Sequence, residues 1–233
     1  MSALSNAKTR RDGHDSPTIG LTSNVLPKAS SSDTGVSVGN APPQAPFAYD
    51  PKKKWYVLRI TYYRAQKAYD LLTKNDIETY MPMRWVKREI DGKEKRITRP
   101  LIPNLLFVYT TFAKLDAIVK TKDGTNARSF ITYYYDHFNT GPNGKNPPLT
   151  VRYDDMANFI RLTSIANEHI MVVRPELCHY RNGDMVKIVD GEFKGICGRV
   201  ARVAGQQRVV VELKGVCLAT TAYVPSSFIK KLT

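Results

Sequence analysis

The hydrophobic pattern changes period several times after residue 50. WYVLRI at 55–60 is a short apolar and aromatic run behind Lys52, Lys53 and Lys54, which predicts a buried central strand. In YYRAQKAYDLLTKN, Ala65, Ala68, Tyr69 and Leu72 recur at helical spacing while Arg64, Lys67 and Lys74 turn outward, predicting an amphipathic helix. ETYMPMRWVKREI and KRITRPLIPNLLFVYTT then flank Asp91-Gly92, a dipeptide favoured in two-residue turns, so a long hairpin is expected. FAKLDAIVKTK returns to helical spacing through Leu115, Ile118 and Val119, a second helix ending before Asp123-Gly124. From Thr125 to Arg152 the chain reads as a strand in SFITYYYDHF, a Pro/Gly-rich loop and a short strand. DDMANFIRLTSIAN predicts a third helix, capped by Asp154 or Asp155, with Met156, Phe159, Ile160 and Thr163 on its buried stripe.

This order, β-α-β-β-α-β-α, belongs to the α+β class and predicts an antiparallel sheet with its helices on one side. EHIMVVRPELCHYRN, broken by Pro175, reads as a linker. Beyond it only strands are expected: VKIV, GRVARV, RVVVEL and TAYVP, separated by Asp190-Gly191, Ala204-Gly205 and Lys214-Gly215. Turns at that spacing predict a small β-barrel. Residues 1–51 are rich in Ser, Pro, Gly, Asn and Thr with no sustained apolar period, so a disordered tail is expected there. The expected limits are 1–51 for the tail, 52–168 for the mixed domain, 169–180 for the linker and 181–233 for the barrel.

Charge narrows the function. The chain carries 35 Lys and Arg against 21 Asp and Glu, a net +14, which favours polyanionic partners. No run approaches ~20 apolar residues and MSALSNAKTRRDGHD has no apolar core of the secretory kind, so a cytoplasmic location without membrane contact is expected. Cys178, Cys197 and Cys217 form no CxxC pair, so neither a disulfide framework nor a metal site is expected. GPNGKN lacks the first glycine and the Ser or Thr of a phosphate loop, and Asp154-Asp155 sit on adjacent helical positions that do not face each other. No nucleophile has a base beside it, and the chain reads as a binding protein without enzyme activity or cofactor.

Two stretches then carry a family resemblance. GDMVKIVDGEFKGICGRVARV resembles a KOW motif, and residues 54 to about 167 resemble the NusG N-terminal domain through WYVLRI, IETYMPMR and RPLIPNLLFVY, with VPSSFIKKL closing the barrel. Together they resemble a NusG-family transcription factor, and the N-terminal extension and the GPNGKNPP loop make it similar to the operon-specific antiterminators of capsule loci. One departure is visible. The family's aromatic-Pro-Gly-aromatic segment reads here as Ile102, Pro103, Asn104 and Leu105.

The resemblance implies an N-terminal NusG-like domain followed by an SH3-like KOW barrel. It also implies binding to RNA polymerase at the clamp through an apolar hollow, suppression of pausing, and contact with upstream or non-template DNA. The barrel is then expected to recruit a small-subunit ribosomal protein or a termination factor. Ile102, Pro103 and Leu105 are the expected polymerase-facing residues, because Pro103 interrupts the ladder and marks an edge or mouth. Tyr56 and Tyr80 join them as candidates, with ordinary core the competing assignment. Arg84, Lys87, Arg88, Lys93, Lys95, Arg96 and Arg99 bracket the hairpin turn and are the expected nucleic-acid contacts, diluted by Glu89, Asp91 and Glu94. Tyr133, Tyr134 and Tyr135 offer rings for base stacking, though three in a row cannot share one strand face. The alternative is an RNA-binding or ribosome-associated protein that uses the KOW barrel directly on RNA.

Overall fold

WYVLRI and LLFVY are apolar at successive rather than alternate positions, and such strands need cover on both faces. A computed structural model describes residues 47–61, 63–90, 92–120, 127–141 and 143–232. The expected tail up to residue 46, Asp91 of the hairpin turn and the expected end of the second helix at Asp123-Gly124 lie outside the described residues.

The first part of the chain contains β1 (Lys54–Ile60), α1 (Ala65–Lys74), β2 (Glu78–Tyr80), β3 (Met83–Ile90), β4 (Lys93–Pro100) and β5 (Leu105–Thr110). It continues through α2 (Phe112–Lys120), β6 (Ile131–Tyr133), β7 (Thr150–Val151) and α3 (Tyr153–Thr163). The main sheet is ordered β2-β5-β1-β6, with β7 sharing the edge of β1 beside β6. Residues of β1 alternate between its two sides. Tyr56, Leu58 and Ile60 pack with Ala68 and Leu72 of α1 and Leu115 and Val119 of α2. Trp55 and Val57 pack on the other face with Met156, Phe159 and Ile160 of α3. Helices therefore cover both faces, which corrects the one-sided layer expected. The cause lies in β1 and β5 themselves, whose second apolar face must also leave water.

The expected long hairpin divides in two. Pro82 on one flank and the Leu101–Asn104 segment on the other separate β2 and β5, which join the main sheet, from β3 and β4, which pair only with each other. In α3 the cap is Arg152, and Asp154 and Asp155 lie in the first turn, where carboxylates favour the positive end of the helix dipole. That corrects the expected aspartate cap.

The second part contains β8 (Met171–Val173), β9 (His179–Ile188), β10 (Cys197–Val203), β11 (Gln206–Leu213), β12 (Cys217–Thr220) and β13 (Ile229–Lys231). They form one antiparallel sheet ordered β13-β9-β10-β11-β12-β8. The ladder runs from β13 to β8 without closing, so the expected closed barrel appears as an open six-stranded sheet. Met171–Val173, inside the stretch expected to link the domains, pairs with β12. The last strand expected at TAYVP falls instead at Cys217–Thr220, and Thr221 and Val224 follow by donating backbone bonds to Val209 and Gln207. The tight turn at Ala204-Gly205 has positive φ at both residues, 49° and 78°, as a two-residue hairpin requires. At Gly198 a Cβ would stand 2.3 Å from the Val210 carbonyl oxygen, so the close approach of β10 and β11 admits no side chain.

Both sheets belong to one compact unit, and a single apolar cluster runs from Trp55, Phe107 and Phe159 to Val186, Ile188, Val209 and Leu213. Asn158 of α3 joins them. Its amide donates to the Cys197 carbonyl and its side-chain oxygen accepts from the Cys197 N–H at 3.0 Å.

Candidate functional site

The segment between β4 and β5 is where the main sheet opens to solvent. Leu101 is buried, Ile102 and Leu105 are half-buried against the large cluster, and Pro103 is exposed. Asn104 adopts the left-handed conformation at φ 67°, while its carbonyl accepts from the Ile60 N–H at 2.8 Å. Asparagine is one of the few side chains that tolerates this geometry, which explains how it stands where the family pattern has glycine. The bend survives, and with it the apolar pair on either side.

Tyr80 lies on the same side of the sheet. Its ring packs against the large cluster and its hydroxyl meets the Thr163 hydroxyl at 2.5 Å, while burial pushes its pKa up against the two hydroxyl contacts that lower it. Tyr80 thus braces β2 against the end of α3. Tyr56 faces the other way: it is buried between α1 and α2, with its pKa raised by that burial, and its ring lies 6.2 Å from Phe112. The five candidates are therefore not brought together. Ile102, Pro103 and Leu105 lie together between β4 and β5, Tyr80 packs against the same cluster as Ile102 and Leu105, and Tyr56 lies on the other face of the sheet.

The basic candidates lie on the ribbon formed by β3 and β4. Arg84 pairs with Arg99, Val86 with Ile97, Lys87 with Arg96, Arg88 with Lys95 and Glu89 with Glu94. Arg84, Lys87, Arg88, Lys93, Lys95 and Arg99 are all exposed, and no described residue of the ribbon is buried. For Arg96 only the backbone position is described. Lys87 Nζ stands 3.1 Å from Glu94 Oε1. Trp85, on the rung with Thr98, is 42% exposed.

The tyrosine triplet is split, as the strand period requires. Tyr133 packs on the α1/α2 side, 6.1 Å from Phe112 and 6.2 Å from Tyr135, while Tyr134 packs with the large cluster on the other side. Burial, then the nearby Asp116 carboxylate that accepts from its hydroxyl, raise the Tyr133 pKa far above the phenol range. This strip is aromatic but acid-edged, a poor surface for phosphates.

Sequence reasoning missed the cover over the start of β1. Phe47 meets Trp55 edge-on at 5.2 Å, and Tyr153 donates from its hydroxyl to the Phe47 carbonyl. The Tyr109 hydroxyl accepts from the Asp50 N–H at 2.8 Å and donates to the Asp50 carbonyl at 2.9 Å. The signal was present in FAYD, two aromatics ending a stretch otherwise poor in them.

The family model "NusG: Transcription termination factor nusG" matches residues 53–160, from the first residues of the main sheet into α3. A solved structure described as "Domain interaction in Thermotoga maritima NusG" is similar at 18% identity and a TM-score of 0.38, over 78% of this chain and 98% of that one. No curated protein matches. Residues 53–160 therefore carry a NusG domain.

Proposed function

We propose that this protein is a NusG-family transcription factor that binds RNA polymerase at the clamp, suppresses pausing and antiterminates. The carrying observation is the half-buried apolar pair Ile102 and Leu105 flanking an exposed proline and a left-handed asparagine, at the root of the ribbon inside the NusG domain. Apolar side chains left partly in water around a backbone held rigid by the Asn104–Ile60 bond suit a hydrophobic contact. The action is one of binding alone. A factor that holds the closed clamp more tightly than the open, paused form shifts that equilibrium by its difference in affinity, and about 1.4 kcal/mol changes pause occupancy tenfold.

Cations on one face of the ribbon are read as contacts to upstream or non-template DNA. The C-terminal sheet is read as a KOW domain that recruits a further partner, following a NusG-like domain over 52–168. What supports the KOW assignment is that GDMVKIVDGEFKGICGRVARV supplies the end of β9, the turn after it and β10, in one continuous hairpin.

Polymerase binding by Ile102→Asp and Ile102→Val tests the reading. An unpaired carboxylate in the contact is expected to cost at least about 2 kcal/mol, roughly thirtyfold in affinity. The valine variant should bind and melt as wild type, and the aspartate variant should remain folded, at a lower melting temperature. An aspartate variant that stays folded and binds normally would exclude Ile102 as the contact.

A further inference from the structure

The register of the β3–β4 ribbon sorts its charges in a way their order along the chain conceals. Successive residues of a strand point to opposite faces, and directly paired residues share a face. One face therefore carries the rungs Arg84–Arg99, Val86–Ile97 and Arg88–Lys95, with Lys93 one rung further on, opposite Ile90. The other carries Met83–Pro100, Trp85–Thr98 and Glu89–Glu94, together with Lys87 on the rung shared with Arg96. Both glutamates of the ribbon fall on this second face, and one of them holds Lys87. Arg84, Arg88, Lys93, Lys95 and Arg99 share the first face with no acid among its described residues. All five are exposed, and none is in an ion pair among the described residues.

Two of the rungs on that face set like charges directly across from one another, an arrangement that destabilises a strand pair. Nothing in the fold compensates for it, because the ribbon pairs with no other strand and buries none of its described residues. A row of cations held apart from both glutamates of its own arm is complementary to a regular polyanion.

The geometry also selects the kind of polyanion. Single-stranded nucleic acid is held by aromatic platforms between the charges. The cationic face offers only Val86 and Ile97, and the ribbon's exposed ring, Trp85, belongs to the opposite face. A two-stranded ribbon of eight residues a strand is about 27 Å long at ~3.4 Å per residue. It fits the major groove of B-form DNA, about 12 Å wide, whereas the deep, narrow groove of an RNA duplex excludes side chains.

We infer that the acid-free face of the ribbon, Arg84, Arg88, Lys93, Lys95 and Arg99, lies against the phosphates of duplex DNA, while the face bearing Lys87, Glu89 and Glu94 turns away from it. The contact deepens the nucleic-acid role proposed above and rests on it, but not on the polymerase contact at Ile102.

The test uses the full chain with no polymerase present and two variants that remove the same charge. Arg88→Gln with Lys95→Gln empties one rung of the acid-free face; Lys87→Gln with Arg96→Gln empties the neighbouring rung. Affinity for a mixed-sequence DNA duplex is measured between 50 and 200 mM salt, a range set by the steepness of counterion release. The first variant is expected to lose about 1.8 from the slope of log affinity against log salt, roughly 0.9 for each phosphate contact. The second should keep the wild-type slope, and both should melt as wild type. Equal losses in the two variants, or none in either, would overturn the sidedness. The same duplex as single strands, and an RNA duplex of the same length, form the remaining arms. A difference between the variants as large on either as on the DNA duplex would overturn the assignment to duplex DNA. Because polymerase is absent, any of these failures leaves the Ile102 contact standing, and failure of that contact leaves this result standing.

Discussion

β4 and β5 are separated by four residues and stand at opposite extremes. KEKRITRP has no buried described residue, whereas five of the six residues of LLFVYT are buried. β5 is held by apolar area on both faces, against α1 and α2 on one and α3 on the other. The ribbon pairs with no other strand, and its like-charge rungs work against it. The contrast separates the residues that keep the molecule folded from those free to meet a partner. Charge at the ribbon can be changed without disturbing the core, and the core can be weakened without altering the charge that a partner meets.

The largest effect should come from the two-sided strand. Phe107 is fully buried and its ring lies 5.6 Å from that of Phe159, so Phe107→Ala is expected to cost about 3–5 kcal/mol in urea unfolding. A loss under about 1 kcal/mol would mean that β5 is not what holds the sheet to α3.

The cover over β1 should matter less. A chain begun at residue 46 keeps Phe47 and Asp50, whereas one begun at Pro51 loses both hydrogen bonds to the buried Tyr109 hydroxyl and the Phe47 ring. The shorter chain is expected to be less stable by about 1–3 kcal/mol, at roughly 1 kcal/mol per bond plus a stranded polar group. Equal denaturation midpoints would show Phe47–Asp50 to be ornament on the sheet.

The ribbon should show the smallest effect. Arg88→Gln with Lys95→Gln is expected to leave unfolding within about 0.5 kcal/mol of wild type, shifted if at all towards greater stability because a like-charge rung is relieved. A loss beyond that would show that these side chains brace the fold, and the contrast between β4 and β5 would then fail.

Much of the fold was legible because period reports which residues share a face. Of the α1 stripe Ala65, Ala68, Tyr69 and Leu72, the second and fourth are buried and the other two half-buried, while Met156, Phe159, Ile160 and Thr163 of α3 are all buried. The Asp91-Gly92 turn placed the ribbon, and Gly92 has the positive φ such a turn uses. The break between β4 and β5 was legible through Pro103, a residue that interrupts a ladder wherever it stands. Tyr56 was not. In a strand apolar at every position the alternation that would assign its side is erased, so only the helices packed against β1 decide where each ring points.

What the sequence determined by itself is local: the kind of element at most stretches, the turns at Gly92 and Ala204-Gly205, and the net charge of +14. Tertiary structure decided the rest. It put α3 on the face of the sheet opposite α1 and α2, divided one expected hairpin into sheet and ribbon, and drew Met171–Val173 into the C-terminal sheet. The reason is that a hydrophobic stripe states that burial is favourable without naming the partner, because apolar attraction is non-directional. Partner and side are chosen only when all the stripes are buried together, as the cluster running from Trp55 through Phe159 to Val209 shows.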